Sequence, residues 1–445
     1  MAFMDDTAAA GSDNAIERAE RIREAMPKNG LFAGKSWRIS PDPFPIDRKT
    51  VKQLEQMGPM LWKFQQASDL IYRRSRKGSL PSWISDYLDR GKPQWLLDAA
   101  LQTDVIEDTP SVIRPDLILT EDGFAITELD SVPGGIGLTA WLGENYAAVN
   151  PDADIIGGTD GMLRGFESIF ESDKVDIAIS EESADYRSEM EWLADKLNGD
   201  FAVKAAENLE FSDEREVYRF FELFDLPNLS GIEKLAASNT KVTPPLKRWL
   251  EEKMWAALLR MRPLRDTWRM GVRDANFHRL LDLFPWSWVV DPAELPHHAV
   301  LPKLEIQSFA ELKDFSKTER ELVLKVSGFS ELAWGSHSVT IGQDSSQSEW
   351  GEAVDNAISS FETSPFVLQE FHRGKIVHHT WHNPESGKIE TMEARVRLCP
   401  YYFAEVGKRG KSVKLGGILA TICPSDKKIL HGMSDAILVP CAVVD

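Results

Sequence analysis

Between Val51 and Arg76, apolar side chains recur at helical spacing. Leu54, Leu61, Phe64 and Ile71 share one face, and Gly78 follows a basic end of Arg73, Arg74, Arg76 and Lys77. Cations at a helix C-terminus mostly face water, although such a run can also meet phosphate. Before this helix, residues 1–13 read as a disordered tail and Ala15 to Met26 as a short charged helix. Residues 27–50, with four prolines and two glycines, read as irregular. Trp83 to Gln102 predicts more helix. From Ser111 the period changes to two: Val112 to Thr120 and Phe124 to Asp130 predict strands joined through Glu121-Asp122-Gly123, and Pro133-Gly134-Gly135-Ile136-Gly137 a permissive loop. Residues 175–225 alternate as strand Val175–Ser180, helix Tyr186–Leu197, strand Phe201–Val203 and strand Val217–Phe224. Lys247 to Phe284 predicts helix, interrupted at Pro263. Strands then dominate: Leu322–Val326, Val339–Ile341, Phe366–Phe371, and a hairpin from Lys375 to Cys399 turning at Asn383-Pro384.

A chain of 445 residues with 42% hydrophobic content exceeds one core. Lys plus Arg is 51 and Asp plus Glu is 70, giving −19, which argues against broad nucleic-acid or anionic-membrane binding. Cys399, Cys423 and Cys441 form no CxxC pair, so neither zinc nor a disulfide framework is expected. No basic segment leads into an apolar run at the start, and no stretch approaches the roughly 18 apolar residues that span a bilayer. The expectation is a cytoplasmic protein. There is no Gly-x₄-Gly-Lys-Ser/Thr loop, no dinucleotide fingerprint and no Gly-x-Ser-x-Gly elbow, and His378, His379 and His382 lack zinc spacing.

The chemistry concentrates in Arg114-Pro115-Asp116 and Thr127-Glu128-Leu129-Asp130. A three-residue turn pairs Thr120 with Phe124, Asp116 with Glu128 and Arg114 with Asp130, so three carboxylates and a guanidinium share a face. A two-residue turn reverses that face. Carboxylates this close raise one another's pKa unless a cation lies between them, and Mg²⁺ with its oxygen ligands is the natural choice. A surface hairpin with ordinary charges is the bland alternative, opposed by the apolar Val112, Ile113, Leu117, Leu119 and Ile126 around it.

The string RPDLILTEDGFAITELDSVPGG resembles the metal-binding segment of circularly permuted ATP-grasp ligases of the glutathionylspermidine synthetase type. That family has Arg-x-Asp, eleven residues, then Glu-x-Asn; here Arg114-x-Asp116 is followed by the same gap and Glu128-x-Asp130. The resemblance implies that Asp116, Glu128 and Asp130 bind Mg²⁺ and that Arg114 meets phosphate or a reacting carboxylate. Asp130 stands where the family has Asn, which adds a negative charge. Lys325 ends the strand Glu321–Lys325 and precedes Ser327-Gly328. This resembles the ATP-grasp small lobe, where the lysine reaches the phosphates under a glycine loop; a strand-end lysine also snorkels to solvent. The family's lid arginine is absent. Lys253 resembles the second nucleotide lysine and equally suits a helix surface. Pro365 to Phe371, with Gln369 and Glu370, resembles the adenine-binding linker, or is a plain core strand. Glu393, Arg395 and Arg397 alternate on one strand and suit a triphosphate, a substrate carboxylate or an ion-pair ladder.

The expected fold is α/β (α+β), a circularly permuted ATP-grasp, because the metal hairpin precedes the lysine, glycine loop and linker. The expected parts are a helical extension (1–110), the hairpin and glycine loop of the large lobe (111–150), a pre-ATP-grasp α/β domain (151–245), the small lobe with its glycine/serine lid (246–365) and the rest of the large lobe (366–445). The activity implied is ligation of a small-molecule or peptide carboxylate to an amine through an acyl phosphate, with ATP and Mg²⁺. A small-molecule kinase and a non-catalytic nucleotide-binding scaffold are the rivals; a glycosidase carboxylate pair is a weaker third.

Overall fold

In the computed structural model, residues 5–99, 109–209, 214–229, 238, 240–333, 338–406, 411–432 and 434–445 are described. Among the described residues, three sheets organise the fold. The largest has eight strands. Its main path runs Phe44–Asp47, Ile437–Val444, Ser412–Pro424, Lys388–Glu405, Val112–Thr120 and Gly123–Asp130, with Val377–Asn383 on Lys388–Glu405 and Asp154–Ile155 on Ile437–Val444. The pairings are antiparallel except at Phe44–Asp47, which lies parallel to Ile437–Val444. A four-stranded antiparallel sheet of Thr340–Ile341, Leu322–Val326, Phe366–Glu370 and Ser287–Val289 has its own core around Trp288, Leu324, Trp350 and Leu368. A parallel sheet of Asp200–Ala205, Lys174–Ile179, Glu216–Phe220 and Val242–Thr243 forms the third unit, with the helix Arg187–Lys196 beside it.

The helix Arg48–Arg76 starts under an Asp47 cap, whose carboxylate accepts from Thr50 N at 2.9 Å, and lies on the largest sheet. Gly58 lets it approach: a Cβ there would sit 2.4 Å from Tyr402 Cδ1. Tyr402 Oη donates to Leu54 O at 2.7 Å. The residues before and within this helix are therefore part of the principal core.

Several elements differ from the expected ones. The first helix begins at Asp5, within the stretch expected to be a disordered tail. Trp83 to Gln102 divides into helices Trp83–Asp89 and Gln94–Ala99 around Gly91 (φ 71°) and Pro93, and residues 100–108 lie outside the described set. Lys247 to Met254 is not helical. Glu251 adopts φ 65° because its carboxylate is claimed by Arg219 at 2.7 Å and by Leu223 N at 2.8 Å, so tertiary contacts override helical propensity. Helix resumes as Trp255–Leu258, Arg265–Val272 and Asp274–Leu283, with Pro263 in the break.

The hairpin register has an unexpected origin. Thr120 pairs with Gly123, so the turn holds two residues, not three. The pairing then shifts between Asp116 and Leu117, leaving Thr127 as an extra residue. This bulge restores Asp116 opposite Glu128 and Arg114 opposite Asp130, while Leu117 and Ile126 stay fully buried.

Candidate functional site

The largest sheet and the smaller antiparallel sheet face each other across a cavity of about 720 Å³. Pockets of this size suit cofactors and nucleotides. Asp116 projects into it from the first hairpin strand and is held by Arg114 Nε at 3.1 Å and Arg397 Nη1 at 2.9 Å. Arg114 also reaches Asp130 at 3.1 Å and Gly134 O at 3.3 Å. Gly134 thus turns the glycine loop into a strut: its carbonyl also accepts from Tyr401 Oη at 2.8 Å, and a Cβ would sit 2.1 Å from Tyr186 Cε1. The loop leads into the helix Ile136–Val149, whose Gly137 N–H is taken by Glu189 Oε1 at 3.0 Å.

Two lysines enter from the opposite side. Lys325, on Leu322–Val326, donates to Thr127 O at 2.8 Å and to Gln369 Oε1 at 3.0 Å. The first acceptor is the carbonyl of the bulged residue, so the lysine bridges the two sheets. Lys253 pairs with Glu128 at 2.9 Å and donates to Ala333 O at 2.9 Å. Its backbone N–H donates to Ser327 O, and Ser327 Oγ donates to Glu252. Gly328 lies against the same Glu252 carboxylate, where a Cβ would come within 2.5 Å. Gln369 is buried and donates to Ser287 Oγ at 3.1 Å. Glu370 borders the cavity but pairs outward with Lys303 at 2.7 Å. The strand Phe366–Glu370 is paired along both edges, so its backbone is already spent; Phe371 and His372, just beyond it, also line the cavity. Arg395 is not among the lining residues; its Nε donates to Gly374 O at 3.0 Å, and Glu393 accepts from Ser425 Oγ. Only Arg397 of that alternating trio reaches the site.

The lining inverts the chain's overall charge. Among the described residues, Lys35, Arg114, Lys253, Lys325, Arg397 and Lys428 stand against Asp116, Glu128, Asp130, Glu189 and Glu370, in a chain of net −19. Burial pushes the Asp116 carboxyl up, but the Arg114 and Arg397 guanidiniums overcome it and hold it low. Glu128 is likewise raised by burial and brought below its usual value by Lys253. Asp130 is pushed up to about 6 by burial and by Glu128 and Asp116, against the pull of Arg114. Burial, aided by Lys253, lowers Lys325 to about 8 against the pull of Glu128 and Asp116.

For a divalent cation the donor chemistry is right but unevenly available. Among the described residues, no three His, Cys, Asp or Glu side chains converge tightly enough to hold a metal by themselves. Asp116 is committed to two guanidiniums. Glu128 and Asp130 share a face, retain lone pairs and leave repulsion uncompensated, which fits an ion held by two carboxylates together with phosphate oxygens.

Sequence reasoning missed several contributors. Thr421 is Arg397's cross-strand partner, and Arg397 Nε and Thr421 Oγ1 are both buried with no hydrogen-bond partner among the described residues. Asp69 receives Lys247 at 3.0 Å and Trp249 Nε1 at 3.0 Å, anchoring the segment that carries Lys253 to the helix Arg48–Arg76. A carboxylate on the buried face of an amphipathic helix, between Phe64 and Ile71, was the available signal.

No protein-family profile matches the sequence, and no curated protein matches it. Solved structures do. A glutathione synthetase-like effector from Globodera pallida, in its apo form, superposes with a TM-score of 0.55 over 98% of this chain and 97% of that one, at 12% identity. The chain shares the overall fold of that structure. A putative γ-glutamylcysteine synthetase from Methylobacillus flagellatus reaches a TM-score of 0.36 at 10% identity, over 84% of this chain and 85% of its own, a likeness too weak to inform the fold. Among the described residues, no helix is long and apolar enough to cross a membrane.

Proposed function

We propose that this chain is a circularly permuted ATP-grasp ligase that joins a carboxylate to an amine through an acyl phosphate. One observation carries the reading: Lys325 and Lys253 converge from one side on the Asp116–Glu128–Asp130 face of the other, around a cavity of about 720 Å³. The fold shared with the glutathione synthetase-like effector supports it.

On this reading Lys325 and Lys253 exchange their present acceptors for nucleotide phosphate oxygens. Glu128 and Asp130 would hold Mg²⁺, which when bound neutralises phosphate charge. Arg114 and Arg397 keep Asp116 ionised and set the rim where a substrate carboxylate lies. Arg397 and Thr421 line the cavity there, a guanidinium beside a hydroxyl. The Phe371 carbonyl and the His372 backbone lie beside the adenine, with the Gln369 and Glu370 side chains bordering it, since the Phe371 N–H is already taken by Glu321 O. Enclosure between the sheets protects the acyl phosphate from water.

A specific observation also favours the non-catalytic scaffold: Asp116, Glu128, Asp130 and Lys253 already have ion-pair partners within the chain, and Lys325 has two neutral acceptors. Calorimetric titration with ATP, with and without Mg²⁺, followed by phosphate release on mixed peptides and polyamines, separates the readings. Magnesium-dependent binding with amine-dependent phosphate release supports the ligase. Binding without release supports the scaffold, and no binding removes both.

A further inference from the structure

Behind the acidic strand lies a second, smaller cavity of about 90 Å³. It shares Thr127, Glu128, Asp130 and Lys253 with the main cavity, and its far wall comes from the helix Arg48–Arg76 and the loops around Glu222 and Trp249. At about 25 Å³ per heavy atom, the packing of benzene in an engineered cavity, it has room for a group of about three or four heavy atoms.

Among the described residues, two of its buried side-chain oxygens lack a partner. Gln65 is 5% exposed and Ser131 2%, and among the described residues Gln65 Oε1 and Ser131 Oγ have no hydrogen-bond partner. Glu222 contributes a carboxyl, and its hydrogen bond is to another carboxyl, Glu251. Arg219 is spent on Glu251, and Lys253 on Glu128. Burial and Glu251 raise Glu222 well above the usual carboxylate range, against the pull of Arg219. Phe64, Trp249 and Phe284 complete its lining. An –NH₃⁺ group has one positive charge and three donors, matching one unneutralised carboxyl and two unpaired oxygens.

We propose that this cavity is a binding site for a small primary ammonium group, held by Glu222, Gln65 and Ser131. Calling that group the acceptor amine rests on the ligase reading; the binding itself does not. The shared wall places such an amine beside Glu128 and Lys253, next to the proposed phosphates.

Saturation-transfer NMR of ethylammonium chloride with the full chain tests the site. Saturable binding is expected, absent for the neutral isostere ethanol and for tetramethylammonium, which has charge but no N–H. Glu222→Gln is expected to weaken it about tenfold, the size of a lost charge-assisted hydrogen bond. Gln65→Leu, which fills the same wall without touching a charge, is the second variant should the first not fold. Equal signals from the three probes, no saturation, or binding indifferent to whichever variant folds overturns the site. A chain that binds ethylammonium but not ATP keeps this site and loses the ligase reading. One that binds ATP and releases phosphate but shows no ethylammonium binding loses this site alone.

Discussion

Lys325 is the residue on which pH acts most directly. Its ordinary value is 10.5, and burial, with Lys253 nearby, lowers it to about 8 against the pull of Glu128 and Asp116. Affinity for nucleotide should therefore fall as pH rises through about 8, as the ammonium loses its charge. Stability moves the other way. Between about 8 and 10.5 the unfolded chain holds more protons than the folded one, so the burial cost, present in full below 8, is relieved as pH rises. Calorimetric ATP titration at pH 7 and pH 9 should show the loss, and Lys325→Met should give weak binding, lowered about tenfold or more, that no longer changes with pH. Arg397 has a different role. Its guanidinium and that of Arg114 are what keep the buried Asp116 ionised. Arg397→Met leaves that carboxylate with one guanidinium and the Cys399 thiol, and should lower stability by about 3 kcal/mol, seen as a reduced urea midpoint at unchanged slope.

At the scale of elements, the bulge at Thr127 decides how the site is built. A two-residue turn alone would set Asp116 opposite Thr127; the extra residue puts Glu128 there and exposes a carbonyl that Lys325 takes. Deleting Thr127 should heal the ladder and leave Asp116 opposite Glu128, so the chain should still fold. The cost, about 2 kcal/mol, should come from the buried ammonium losing an acceptor. Thermal unfolding of a double-mutant cycle checks this: in a Lys325→Met background the deletion should cost much less. The pairing of Asp116 with Glu128 and of Arg114 with Asp130 was readable in the sequence, though only from an assumed three-residue turn. The turn length was not, since a bulge conceals itself by restoring the register that a longer turn would give. The helix expected from Lys247 failed for a different reason: Arg219 and Asp69 pull that segment into a loop, and both lie far away in sequence. Helix and sheet also meet too closely for substitution at Gly58. Gly58→Ala should push Tyr402 aside and cost about 1–3 kcal/mol in chemical denaturation, despite the better helix propensity of alanine.

Over the whole molecule, the segment that looked like an extension builds part of the largest sheet's core and braces the Lys253 loop. Phe44–Asp47 forms one edge of the largest sheet, pairing with Ile437–Val444. The helix Arg48–Arg76 buries Leu54, Met57, Met60, Leu61, Trp62, Phe64, Ile71 and Tyr72. Its Asp69 fixes the Lys253 loop, and Lys92 and Arg90 beyond it pair with Glu252 and Glu362. The helix and its apolar face show in the sequence, but not the core they join, because a strand edge and a core-facing helix look the same whether they join a neighbouring core or form one of their own. The consequence can be weighed. Each of these large side chains contributes about 1.5–3 kcal/mol on burial, so exposing eight of their partner surfaces costs on the order of 15 kcal/mol or more. A domain's whole margin is about 5–15 kcal/mol. A chain beginning at residue 109 should therefore lack a cooperative unfolding transition and fail to bind ATP. Adding the separate 14–99 peptide should restore both if the two pieces fold together. Circular dichroism melts of the truncated chain, alone and mixed with the peptide, make the comparison. A sharp melt from the truncated chain alone would mean that the 112–445 strands close their own core and that the N-terminal helix is dispensable.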